Sequence, residues 1–184
     1  MGPTLRISQF GLLFVSLFQR CESLLVSAEV TKERLGLRNV CNGYQGNCQK
    51  SCPNGWMFYN DNCYGILNEP LTWSAAEVDC QGKKRNAHLV TFVNQKELKE
   101  IAKYLSSVHG NEDPVWTGLY DPRHTGNWQW VDLSMTSYLP WDREEPNNAG
   151  GDEYCGHLIP HNGFNKLNDA PCSREMAYVC KYPL

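Results

Sequence analysis

No stretch of this 184-residue chain is apolar for long enough to cross a bilayer. Phe10 to Phe18 is the strongest candidate and spans nine residues, whereas about 20 are needed for roughly 30 Å of hydrocarbon. Net charge is nearly absent as well, a formal −3 from 17 basic and 20 acidic residues. That balance excludes the bulk field that draws a protein to nucleic acid or to an anionic membrane. The chain has no C-x-x-C pair, and so no C-x-x-C followed by histidines at finger spacing, which argues against structural zinc. It has no Asn-x-Ser/Thr acceptor, so no N-glycan is expected. Repeats, low-complexity tracts and a nucleophile elbow are missing too, and no paired base is visible among His124, His157 and His161. The chain is therefore not expected to be an enzyme.

Aromatic residues are plentiful, with six Trp, nine Tyr and six Phe, which suits a packed core. Residues 1–28 read as a signal peptide. Arg6 supplies the positive start, the Phe10–Phe18 run the apolar stretch, and Val26-Ser27-Ala28 the small residues before a cut. A cut after Ser23 is the alternative. Either cut discards Cys21 and leaves eight cysteines, at 41, 48, 52, 63, 80, 155, 172 and 180. Eight can pair in about 105 ways, and export to an oxidising compartment makes disulfides the default. Residues 29–51 are polar and read as an N-terminal extension in which Cys41 and Cys48 could close a small loop.

From Cys52 the texture changes. Gly55–Tyr59 and Cys63–Ile66 read as two short strands around a turn of Asn60-Asp61-Asn62. Ser74 to Glu77 reads as a capping box opening a helix with Trp73, Ala76 and Cys80 on one face. His88–Phe92 reads as a strand, and Asn94 to Glu97 as a second helix start. Leu98, Ile101, Ala102 and Leu105 then follow at i, i+3, i+4 and i+7. Beyond residue 108 short apolar runs alternate with turns: 115–119, 128–131, 154–159 and 176–181. Residues 132–153 form one long stretch rich in Pro, Asn and Gly, and a loop of that length in a compact domain is usually functional or disordered. Of the tryptophans, 56, 116, 128 and 130 are assigned to packing, and Trp141 is open between core and site.

That stretch and the one after it carry oxygen ligands: Glu145, Asn147, Glu153, Asn168 and Asp169. Calcium takes about six to eight oxygens at roughly 2.3–2.6 Å. Five side chains with three acidic charges, plus the Asp169 carbonyl, suit it, and sugar hydroxyls or water would complete the shell. Glu145 and Asn147 flank Pro146. A cis peptide there would turn both side chains toward one point, and X-Pro bonds are where cis is accessible.

These marks together resemble the C-type lectin-like domain over about residues 52–184. Cys52, Cys63, Cys80, Cys155, Cys172 and Cys180 match its long-form cysteine set. Trp116-Thr117-Gly118-Leu119 is similar to its W-I-G-L core motif, and Glu145-Pro146-Asn147 is the mannose-type form of its calcium tripeptide. Glu153 stands two before Cys155, and Asn168-Asp169-x-x-Cys172 matches its W-N-D-x-x-C ending. Leu167 replaces the Trp of that ending, the Cys155–Asn168 segment is longer than in collectin-type members, and Tyr154 replaces an acid that serves a neighbouring calcium in some relatives.

The resemblance implies an α+β fold, two helices flanking antiparallel sheets with a long calcium-binding loop. It implies disulfides 52–63, 80–180 and 155–172. It also implies one Ca2+ held by Glu145, Asn147, Glu153, Asn168 and Asp169. The first four would double as sugar contacts, with the glutamates accepting and the asparagines donating to two vicinal hydroxyls. The Glu-then-Asn order implies mannose, fucose or N-acetylglucosamine rather than galactose. The expected partners of this secreted protein are mannose-type glycans on glycoproteins or microbial surfaces. A single shallow site of this kind binds near the millimolar end, about 4 kcal/mol, so avidity would come from clustered glycans or from a homo-oligomer. The overall build is similar to the regenerating-protein and reptile venom lectin groups. The alternative on the same scaffold is a module that binds protein or mineral without sugar activity.

Overall fold

The computed structural model describes residues 51–184. The expected signal peptide, most of the expected extension and the possible Cys41–Cys48 pairing lie outside those residues. Strand β1 (Met57–Tyr59) turns through Asn60 and Asp61 into the long β2 (Asn62–Leu71). Both turn residues sit at positive φ, 47° and 58°, as a tight hairpin requires. Helix α1 (Trp73–Lys83), β3 (His88–Leu89) and helix α2 (Gln95–Val108) follow. Then come β4 (Val115–Tyr120), β5 (Gln129–Trp130), β6 (Cys155–Leu158), β7 (Leu167–Ala170) and β8 (Met176–Pro183). The main path of the sheet runs β1-β2-β8-β4-β6-β7, with β3 on β8 and β5 on β4. The β4–β8 pair is parallel and the other pairs are antiparallel.

Both helices start where a short polar side chain can cap, though one start is displaced from its expected place. Asn94 Oδ1 accepts the Glu97 amide at 2.9 Å, as the motif predicts. At α1 the cap is Thr72, whose hydroxyl accepts from Ala75. Ser74 lies inside the helix, and Glu77 does not reach back to close a capping box. Packing decides this: Trp73 is buried as the first helical residue, and the Glu77 carboxylate accepts the Leu89 amide at 2.8 Å and faces His88 Nδ1 at 2.6 Å. A charge this buried persists only where it is paired.

The two helices cover different sides of the sheet core. Leu98, Ile101, Ala102 and Leu105 of α2 pack with Val115, Leu119, Ala177 and Val179. Trp73, Ala76 and Cys80 of α1 pack with Trp116, Tyr178 and Cys180. Successive residues of β4 and β8 thus feed opposite cores, as the two-residue period of a strand requires. That is why these strands read as continuous apolar runs and not as alternating ones. Gly118 sits where β4 is tightest: a Cβ there would fall 2.7 Å from Val131 Cγ1 and 2.9 Å from the Leu89 carbonyl. The expected strand at 88–92 is regular only for His88 and Leu89, although Val90, Thr91 and Phe92 remain fully buried.

All three expected disulfides of the domain are present. Cys52–Cys63 staples the first hairpin, Cys80–Cys180 ties α1 to β8, and Cys155–Cys172 links β6 to the segment just beyond β7. The last one matters most for the site, because β7 carries Asn168 and Asp169.

Leu133 stands out on the surface. It is 82% exposed and holds φ at 63°. The left-handed region costs a non-glycine residue about 1–2 kcal/mol, while glycine gives back about 0.5–1 kcal/mol through its looser unfolded chain. Leu133→Gly is therefore expected to raise thermal stability by a few tenths to about 1 kcal/mol, roughly 1–4 °C. A calorimetric melt checks this, and a fall in Tm would contradict it.

Candidate calcium and carbohydrate site

The segment from Leu139 to Glu153 is irregular, so its shape comes from specific contacts at its base. Trp141 bridges to Leu167 in parallel register, the Leu167 amide donates to the Pro140 carbonyl at 3.0 Å, and the Asp142 amide donates to the Leu167 carbonyl at 2.9 Å. Leu167 is fully buried. Trp141 packs on the core beside it and meets Trp128 edge-on at 4.8 Å. β7 is consequently held in place with leucine at its start, and Trp141 serves as packing.

From this base the chain turns into Glu145-Pro146-Asn147, and the Glu145–Pro146 peptide is cis. Asn147 Nδ2 donates to Glu145 Oε1 at 2.9 Å, and the Asn147 amide donates to Glu145 Oε2 at 3.1 Å. Asp169 reaches across from β7. Its Oδ1 accepts the Asn147 amide at 3.2 Å and its Oδ2 the Asn148 amide at 2.8 Å. Only 1% of Asp169 is exposed, so this carboxylate is a buried staple between sheet and loop. It also lies against the Glu145 carboxylate.

Glu153 closes the loop from the far side. Its Oε2 accepts the Ala149 amide at 2.7 Å, and its own amide donates to Asn148 Oδ1 at 2.8 Å. Between these ends the backbone takes left-handed conformations at Glu144, Asn148, Gly150 and Gly151. The two glycines adopt them without cost. Asn148 was not singled out by sequence, although it both anchors the loop to Asp169 and positions Glu153. Its signal was an asparagine directly after the tripeptide, a residue type that tolerates positive φ.

Electrostatics and satisfaction single out two groups. Glu145 is pushed above the usual carboxylate range, first by desolvation and then by the Asp169 and Glu153 carboxylates; the Asn147 amide opposes this. Asn168, on β7 opposite His157, has a buried Oδ1 without a hydrogen-bond partner. A buried acceptor left unpaired costs about 1–3 kcal/mol. Glu145, Asn147 and Asp169 are thus in mutual contact, Glu153 is close enough to act on Glu145, and Asn168 adjoins Asp169 along β7. Among the described residues, no three His, Cys, Asp or Glu side chains gather in metal-holding geometry by themselves. Two of the five candidates are amides, and Glu153 turns one oxygen to a backbone amide.

Of His124, His157 and His161, the first and last are exposed and His157 is not. His157 is buried in β6, 6% exposed, beside the edge of Trp116. His124 lies flat on Tyr154 with ring centroids 3.5 Å apart. His161 is exposed, 3.7 Å from Asp142.

Comparison with known proteins agrees with this architecture. The family model described as the lectin C-type domain matches residues 69–182. A C-type lectin of Micrurus corallinus is 37% identical over 131 residues, 71% of this chain and 83% of that protein. A protein of Oxyuranus scutellatus named C-type lectin mannose-binding isoform is 37% identical over 130 residues, 71% of this chain and 82% of its own. Among solved structures, human lithostathine aligns with a TM-score of 0.68 at 32% identity, covering 73% of this chain and 92% of that one. The fold, the three disulfides and these matches together make the chain a member of the C-type lectin family.

Proposed function

We propose that this chain is a secreted, calcium-dependent lectin for mannose-type sugars, its leader being residues 1–28 and its lectin domain residues 52–184. Among the described residues, no helix is long and apolar enough to cross a membrane. The observation that carries the reading is the Glu145–Asn147–Asp169 cluster, together with an unpaired Asn168 oxygen on the residue before Asp169 in β7. Glu145 and Asp169 bring like charges into contact, and Asn168 offers an acceptor that nothing in the chain satisfies. An oxygen-ligated divalent cation answers both needs, and the donor set of carboxylates and amide oxygens fits calcium. Glu145, Asn147, Glu153, Asn168 and Asp169 would hold it.

When bound, Ca2+ supplies coordination positions for two neighbouring sugar hydroxyls. The chain's own side chains do the rest. Glu145 and Glu153 accept the hydroxyl protons, and Asn147 and Asn168 donate N–H to the remaining lone pairs. Asp169 keeps the tripeptide in place through the amides of Asn147 and Asn148. The placement of acceptor at 145 and donor at 147 sets which pair of hydroxyls is accepted, and this order supports mannose, fucose or N-acetylglucosamine. Glycans of this class, on glycoproteins or microbial surfaces, are the partners.

Passing the mature protein over mannan- and galactose-agarose in calcium tests the reading. Retention on mannan and release by chelator are expected. Retention that survives chelation, or a preference for galactose, would defeat it. Combining Glu145→Gln with Asn147→Asp exchanges acceptor and donor, and preference should then move toward galactose. An unchanged preference would show that the tripeptide does not set specificity.

A further inference from the structure

We propose that the stack of His124 on Tyr154 is a clamp, independent of any metal, that positions the Glu153 loop. This rests on the lectin reading only where Glu153 is treated as a ligand. The two rings are parallel within 4° and their centroids are 3.5 Å apart. They come from two turns, residues 121–127 and 148–154, that leave the β4–β6 ladder just beyond its Tyr120–Cys155 pair.

The His124 side of the clamp is rigid. Asp121 is buried, and its carboxylate collects the amides of Arg123 at 3.3 Å and Gly126 at 2.6 Å. Its own amide donates to the Tyr154 carbonyl at 2.9 Å. The turn is thus fastened to the backbone of Tyr154 and fixed internally. His124 holds φ at 57° at its tip. Histidine is among the residue types that tolerate this region, and from this tip its ring lies on Tyr154.

The Tyr154 side reaches the ligand loop. The Tyr154 hydroxyl donates to the Gly151 carbonyl at 2.9 Å. Gly150 and Gly151 both lie at positive φ in a 3-10 turn, Ala149–Gly151, a conformation open to glycine without strain. Glu153 is the neighbour of Tyr154 in sequence, and its two loop contacts are to Ala149 and Asn148. His124 therefore acts through Tyr154 and Gly151 on the orientation of Glu153, as a positioning residue. Aromatic stacking of this kind changes a local equilibrium by a factor of roughly two to ten.

Amide hydrogen exchange in the mature, chelator-treated protein tests the clamp without calcium or sugar. His124→Ala should speed exchange at Ala149 and Glu153 by roughly threefold to tenfold, with the amides of β4 and β8 unchanged. His124→Phe keeps a flat ring and should restore slow exchange. The calcium half-saturation point should rise by a similar factor in the alanine variant and return with phenylalanine. Unchanged exchange at Ala149 and Glu153 in the alanine variant would overturn the clamp, and so would failure of phenylalanine to rescue it. If exchange responds as expected but calcium does not bind, the clamp stands and the lectin reading falls.

Discussion

Asp169→Ala is expected to remove calcium-dependent retention on mannan while leaving the sheet folded. The carboxylate is used twice by the backbone, at the Asn147 and Asn148 amides, and again by contact with Glu145. Its loss leaves the Asn148 amide without a partner, at about 1–3 kcal/mol, leaves the Asn147 amide only its bond to Glu145, and deletes one proposed ligand. An affinity loss of at least about a hundredfold follows, since 1.4 kcal/mol is a factor of ten. The tripeptide itself lies outside both apolar cores, so circular dichroism should be preserved while a melt falls by several degrees, in line with that cost. Calcium titration and mannan chromatography of the variant check this. Retention at the level of the unmodified protein would mean that Asp169 staples nothing the ligand uses.

The second large effect is on stability against acid. Burial pushes the His157 imidazole down to about 4, with Arg174 adding to the depression and the Leu158 carbonyl and Asp169 opposing it. The unfolded chain takes up that proton near the ordinary value of about 6.5. Between those values the unfolded state binds the proton and the native state does not, so stability falls as pH falls. The loss begins below about pH 6.5, is complete near pH 4, and amounts to about 3 kcal/mol. The raised Glu145 carboxyl works the other way, since a group that is more basic in the fold gains stability on acidification. Urea midpoints measured across pH 4–7 read the sum. His157→Phe keeps a ring against Trp116 but cannot titrate, so it should flatten the slope in that window. An unchanged slope would assign the acid loss elsewhere.

The elements with strong local signals were legible in the sequence. The α2 stripe from Leu98 to Leu105 and its Asn94 cap need only residues close in sequence, and both are where the pattern placed them. The strands at 115–120 and 176–183 were visible as apolar runs, because both faces are buried under helices. What long-range packing decides was not legible. The start of α1 at Thr72 rather than at a Ser74 box follows from burying Trp73 and from giving Glu77 to β3. The burial of His157 depends on β6 lying inside the sheet, which a histidine between turns does not announce. The bridge between Trp141 and Leu167 is a tertiary contact that periodicity cannot show. At the site the five proposed oxygen ligands were named from type and order, and the structure brings Glu145, Asn147 and Asp169 into contact. Asn148 and the His124–Tyr154 stack were not named, because their roles are fixed by loop geometry.

Calorimetric titration of calcium into the mature protein, with and without a methyl mannoside, measures the central claim most directly. One calcium per chain should bind more tightly in the presence of the mannoside than alone, and a methyl galactoside should produce no such gain. If calcium binding proved indifferent to the mannoside, or the mannoside bound equally well in chelator, the metal-bridged site proposed for this chain would be contradicted.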